Sequence, residues 1–212
     1  MPDGNPPGTP PCSLAGLPPG FPAAWPPYRP AGLRLSVLRH RWYRLDAAGP
    51  AAWEWAPHPG PRYRFDSAAG RRRVRYAAQT QVGSMRERFD EQGRLISVAE
   101  LDLQLVELSG PVRVLDLRHE RNLDALGLDD QISTARTRPV WAAAQRLSDA
   151  VVDWYGERCE GIVYRSRTTP QTSANLVWFG GTLAAAALGR LGHQDGLLAR
   201  CVLTEGFAME GW

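Results

Sequence analysis

Four side chains in the first half of the chain are of types that stabilise or bind a charged reactant. Glu87 lies eleven residues after Tyr76, and Arg64 and Arg44 precede both. A carboxylate offsets positive charge that develops in a transition state, or orients an incoming acceptor. Two guanidiniums present planar donor forks that match phosphate oxygens in pairs, and a phenol ring offers a face for stacking. Tyr43 beside Arg44 adds a second ring, and Ser166 adds a hydroxyl. The 25 basic residues are all arginine, so no Schiff-base lysine and no lysine phosphate clamp are available. Any anion must be held by guanidinium or backbone. His40, His58, His119 and His193 are scattered, and Cys12, Cys159 and Cys201 stand far apart, so no metal site is expected.

Periodicity indicates the elements that must position these groups. Val82, Met85 and Phe89 form one helical stripe, and Glu87 points well away from it, towards a cleft. Val74 to Ala78 predicts the strand that carries Tyr76. Leu33, Leu35 and Val37 alternate with polar residues in a strand leading into Trp42-Tyr43-Arg44. Leu101, Leu103 and Leu105 alternate in another, and Val112 to Leu117 follows the Gly110-Pro111 turn. The clearest helix runs from about Pro139 to Tyr155, with Val140, Ala144, Leu147, Val151 and Trp154 along one face and Gly156 as its stop. Gly161 to Tyr164 and Asn175 to Phe179 read as strands, Leu183 to Leu191 as a short alanine-rich helix, and Leu197 to Leu203 as a late strand. This order is not a regular strand–helix alternation, so the fold class is α+β. Neither a Gly-x-Gly-x-x-Gly sequence nor a P-loop is present, so a nucleotide must be held another way. Trp42, Trp53 and Trp55 are expected to pack.

Residues 1 to 31 stand apart from the domain of residues 32 to 212, because they hold eleven of the 18 prolines. Proline removes backbone donors, so this arm forms neither helix nor central strand. Its Phe21, Trp25 and Tyr28 are expected to pack onto the domain. A hydrophobic share of 43% with 22% charged residues belongs to an ordinary globular protein. The net charge is +3, and Arg71, Arg72, Arg73 and Arg75 are the dense cationic run. That run reads as a solvated turn before a strand, so no direct nucleic-acid partner is expected. Sparse cysteines, no visible signal peptide and no apolar stretch of membrane-spanning length point to a cytoplasmic protein without a membrane partner.

Taken in order, Trp42-Tyr43-Arg44, Arg64-Phe65, Tyr76-Ala77-Ala78, Glu87, Val114-Leu115-Asp116-Leu117, Asp124 to Leu128 and Gly161 to Arg167 resemble the RES domain, over roughly residues 35 to 180. That family is named for an arginine, a glutamate and a serine. Its members are typically toxins of bacterial toxin–antitoxin pairs with a fold similar to ADP-ribosyltransferases, a mixed β core flanked by helices. Known members deplete NAD by hydrolysis or phosphorolysis, or ADP-ribosylate a target. The resemblance implies NAD as substrate rather than a bound cofactor, and a cognate antitoxin with a helix-turn-helix domain. It implies catalytic roles for Glu87, Arg64 and Tyr76, and substrate binding by Arg44, Tyr43 and Ser166. The chain departs from the family pattern where Tyr63 replaces a glycine before Arg64 and Arg165 replaces a proline before Ser166. The family serine maps either to Ser166 or to the start of the long helix, where Trp141-Ala142 offers no hydroxyl. Three activities stay open: an NAD-consuming toxin, an ADP-ribosyltransferase with a macromolecular target, and a non-catalytic binding module.

Overall fold

The computed structural model describes residues 17–18, 21–57, 60–168 and 173–211. Among these residues the framework is one curled, eight-stranded mixed sheet. Its strands are β1 (Leu35–Leu38), β2 (Trp42–Asp46), β3 (Arg75–Ala78), β5 (Gln104–Ser109), β6 (Val112–Asp116), β7 (Gly161–Arg165), β8 (Ala174–Trp178) and β9 (Ala184–Arg190). They lie in the order β1-β6-β7-β8-β3-β2-β5-β9. Only β6 and β7 run parallel in this sheet. The short strands β4 (Leu95–Ile96) and β10 (Ala208–Met209) form a separate parallel pair.

Alternation along the strands divides the core into layers. Trp42, Ala77, Val106, Val114, Val163, Leu176 and Trp178 fill the concave face, where the curled sheet packs on itself. On the other face, helix α4 (Arg138–Tyr155) buries Val140, Leu147, Val151 and Trp154 against Leu115, Ile162 and Val177. Helices α2 (Glu120–Leu126) and α3 (Gln131–Thr134) complete that layer. Beside it, α1 (Gln81–Phe89) and α5 (Asp195–Glu205) pack on Tyr43, Leu45 and Leu105. A mixed sheet with helices on its outer face is the α+β class expected.

Several elements differ from the periodicity reading. Leu183 to Leu191 is not a helix: β9 pairs with β5 from Gln104 to Ser109, after Gly180 and Gly181 turn the chain at φ 112 and 122°. The open edge of β5 outweighs alanine's helix propensity. Conversely, the expected late strand is α5, where Leu197, Leu198 and Cys201 are buried and Gly206 ends the helix at φ 71°. The strand expected from Leu101 begins only at Gln104, because a Ser97–Glu100 capping box winds Val98–Asp102 into a 3-10 turn. The first strand is also two: β1 joins β6, whereas β2 joins β3 and β5.

The arginine run is not a solvated turn. Arg71 forms a two-pronged pair with Asp153 at 2.8 and 3.0 Å, and Arg72 reaches Asp149 at 3.1 Å. Arg73 faces Glu54, while Arg75 is buried against Asp46 with its guanidinium over the Trp53 and Trp55 rings. The arm docks on α4, as expected for two of its aromatics. Phe21 is buried, and Trp25 donates its indole N–H to the Ala143 carbonyl at 3.2 Å. Trp154 returns a bond to the Pro26 carbonyl, but Tyr28 is exposed.

Candidate active site

Helix α1 begins on the end of β3, and its first turn sets where Glu87 stands. The Thr80 hydroxyl caps it by accepting the Gly83 N–H at 2.9 Å. A Cβ at position 83 would lie 2.9 Å from Thr80 Oγ1, 3.0 Å from the Ala78 Cβ and 3.2 Å from Ser173 Oγ. Glycine therefore lets the helix sit directly on the β3 and β8 ends. Val82, Met85 and Phe89 are buried beneath it, and Glu87 is exposed on the far side.

Beyond the end of β7, the buried Ser166 donates its hydroxyl to Glu87 Oε1 at 2.8 Å. Thr168 places a second hydroxyl 3.4 Å from the same oxygen and 3.0 Å from Ser166 Oγ. One carboxylate oxygen is thus fixed by hydroxyls while the residue keeps an open face. Residues far apart in the chain, on a helix and after a strand, form this pair.

Below it lies a buried polar floor. Arg64 is 7% exposed and donates to the carbonyls of Ile132 at 3.0 Å and Ala135 at 2.5 Å. Its guanidinium stands over the Trp141 ring. Burial is the largest influence on it and lowers its pKa, while Tyr164, Tyr76 and the charge of Glu87 act the other way. Tyr164 shares a side-chain hydrogen bond with Asn175, its cross-strand partner, and burial raises its pKa, with Glu87 next in effect. Tyr76 donates to Asp66 Oδ1 and accepts the Phe65 N–H, both at 2.9 Å. Burial first, then the Asp66 charge, pushes this phenol well above its ordinary pKa, so it stays protonated. Asp66 also accepts the N–H groups of Arg62 and Tyr63 at 2.8 Å, so Tyr76 pins the turn that carries Arg64. The exposed Tyr63 ring packs edge-on against Tyr76.

The two remaining sequence candidates stand on opposite faces of β2. Arg44 donates to Asp46 at 2.7 Å and to the Tyr76 carbonyl at 3.1 Å, and its guanidinium lies over Trp53. It touches the Tyr76 strand at that carbonyl, and Tyr63 lies within its electrostatic reach. Tyr43 faces α1 and, with Thr80, Gly83, Arg86 and Glu205, lines a cavity of about 690 Å³. Glu87, Ser166, Arg64 and Tyr76 do not line this cavity. Ser166 is the hydroxyl paired with Glu87, whereas Ala142 is buried in α4. Sequence reasoning singled out neither Thr168 nor Asn175 nor Asp66. Thr168 had a faint signal in Ser-x-Thr spacing. Asn175 had none, because its place opposite Tyr164 depends on the β7–β8 register. Among the described residues, no cluster of three His, Cys, Asp or Glu groups is suited to a metal ion.

The fold is a mixed-sheet α+β domain, and its candidate site joins a hydroxyl-fixed carboxylate to a buried arginine that feels its charge. The chain belongs to the RES domain family, which matches over residues 36–196. Among solved structures it is similar to one described as the M. tuberculosis MbcT-MbcA toxin-antitoxin complex. The identity is 16% and the TM-score 0.43, over 72% of this chain and 85% of that one. No curated protein matches the chain.

Proposed function

We propose that this RES-domain protein is a toxin-type enzyme that cleaves the nicotinamide–ribose bond of NAD. The observation that carries the reading is the Glu87 carboxylate, open to solvent on one side and fixed by Ser166 on the other. When the glycosidic bond breaks, its electron pair goes to the pyridinium nitrogen and nicotinamide leaves neutral. Positive charge then spreads over the ribose C1′ and ring oxygen. A fixed carboxylate lowers that barrier, because it needs little reorganisation as the charge forms. An acceptor O–H adds to C1′ and loses its proton. Arg64 and Tyr164 shape the floor, and the paired rings of Tyr63 and Tyr76 offer an aromatic wall for the substrate.

The exposure of Glu87 also leaves room for a macromolecular acceptor, which is the ADP-ribosyltransferase reading. Mass spectrometry of products from labelled NAD, with and without phosphate, separates water, phosphate and protein as acceptors. The proposal expects nicotinamide release that Glu87→Ala abolishes; intact NAD with the wild-type protein overturns it. A toxin of this kind requires a cognate antitoxin, proposed to carry a helix-turn-helix domain and to act with it in the cytoplasm. Among the described residues, no helix is long and apolar enough to cross a membrane.

A further inference from the structure

An NAD-like substrate brings a diphosphate, and the two arginines singled out by sequence already have protein acceptors. Arg44 is engaged by Asp46 and the Tyr76 carbonyl, and Arg64 by the carbonyls of Ile132 and Ala135. Two other arginines converge one helical turn beyond Glu87. Arg136, next to the Ala135 that anchors Arg64, comes within 3.8 Å of Asp90 Oδ2. Arg167, next to the Ser166 that holds Glu87, comes within 3.9 Å of the same oxygen. Those separations give attraction without a hydrogen bond. Arg167 is also 3.5 Å from Glu91, and Asp90 Oδ1 has Arg94 at 3.5 Å. Among the described residues, neither Arg136 nor Arg167 donates a side-chain hydrogen bond; Arg136 is open to solvent, and Arg167 is held by ion pairs alone at 18% side-chain exposure.

The charge balance points the same way. Three guanidiniums face two carboxylates, Asp90 and Glu91, and the field of Arg167 also reaches Arg64 and Tyr164 in the floor. Arg136 is 70% exposed at its side chain, so it can move onto a ligand with little loss. We propose that Arg136 and Arg167 form the diphosphate clamp of this site, with Asp90 holding them in place until the ligand's oxygens replace it. The inference rests on the proposed NAD reading and adds the residues that grip the substrate's anionic centre. It also explains why Arg64 need not leave its buried carbonyls for a diphosphate to bind.

The test combines steady-state kinetics on NAD with calorimetric titration of inorganic pyrophosphate. Arg136→Ala and Arg167→Ala should each raise KM about tenfold or more with kcat changed much less, the signature of lost binding common to ground and transition states. Arg190→Ala, which breaks an exposed pair with Asp102 on β9, should leave both constants unchanged. Asp90→Asn should tighten pyrophosphate binding, and Arg167→Lys should recover only part of it, because lysine lacks the planar fork. Circular dichroism confirms that each variant is folded. Unchanged KM and unchanged pyrophosphate affinity in both arginine variants overturn the clamp, even where Glu87-dependent NAD cleavage is observed. Pyrophosphate binding through these arginines in a protein that leaves NAD intact would uphold the clamp and overturn the proposed reaction instead.

Discussion

The Glu87–Ser166 bond sets the chemical character of the site at the scale of single residues. A hydrogen bond to a charged group contributes about 1.5–3 kcal/mol. Ser166→Ala should therefore lower kcat about 10- to 100-fold if that bond orients the carboxylate in the transition state. Rapid-quench measurement of nicotinamide release checks this, and an unchanged kcat contradicts it. Arg64 makes a different prediction. Arg64→Ala removes the side-chain donor from the buried Ile132 carbonyl and leaves the Ala135 carbonyl with the Trp141 indole N–H alone. It should destabilise the fold by about 2–4 kcal/mol, read by urea denaturation. Glu87 was legible in the sequence because its position opposite a helical stripe follows from local spacing. The Ser166 contact was not, since it depends on how α1 crosses the ends of β7 and β8.

The elements that carry these residues are held by close approach as much as by apolar burial. Gly83→Ala should push α1 off the β3 end, because the new Cβ would lie within 3.0 Å of two neighbours. We expect a loss of about 1–3 kcal/mol, with NAD turnover falling further than stability alone explains. A melting curve and a turnover assay on the same sample separate the two effects. The arm belongs to this scale as well. Trp25→Ala removes the ring packed edge-on against Trp154 and should cost about 2–4 kcal/mol in chemical denaturation. Helix α4 was readable from its periodic apolar face, and β6 from the short apolar run that follows the Gly110-Pro111 turn. The alanine-rich β9 and the leucine-bearing α5 were exchanged in that reading. Short apolar runs fit either period, and only the open β5 edge and the Leu105 layer decide between them.

For the whole molecule, the curled sheet sorts its apolar side chains into a concave core and two layers beneath the helices. The two described cysteines are buried beneath helices, Cys159 in the α4 layer and Cys201 in the α1–α5 layer. Burial raises the thiols of Cys159 and Cys201 to about 11, so both should resist alkylation in the native protein at neutral pH. The folded protein holds the Cys159 proton more tightly than the unfolded chain, whose thiol has its ordinary value of 9.0. Its contribution to stability is therefore complete below pH 9 and declines as pH rises towards 11. Denaturation midpoints across that range check the sign. Sequence order indicated the α+β class and the family, but the sheet order depends on long-range pairing that no local pattern encodes. The central claim remains that the fixed carboxylate of Glu87 drives cleavage of NAD. Its most direct test is the rate of NAD loss in purified wild-type protein against Glu87→Gln, which keeps the side chain's shape and removes its charge. A fall of about a hundredfold or more in rate with folding intact is predicted; equal rates, or no NAD loss with the wild type, would contradict it.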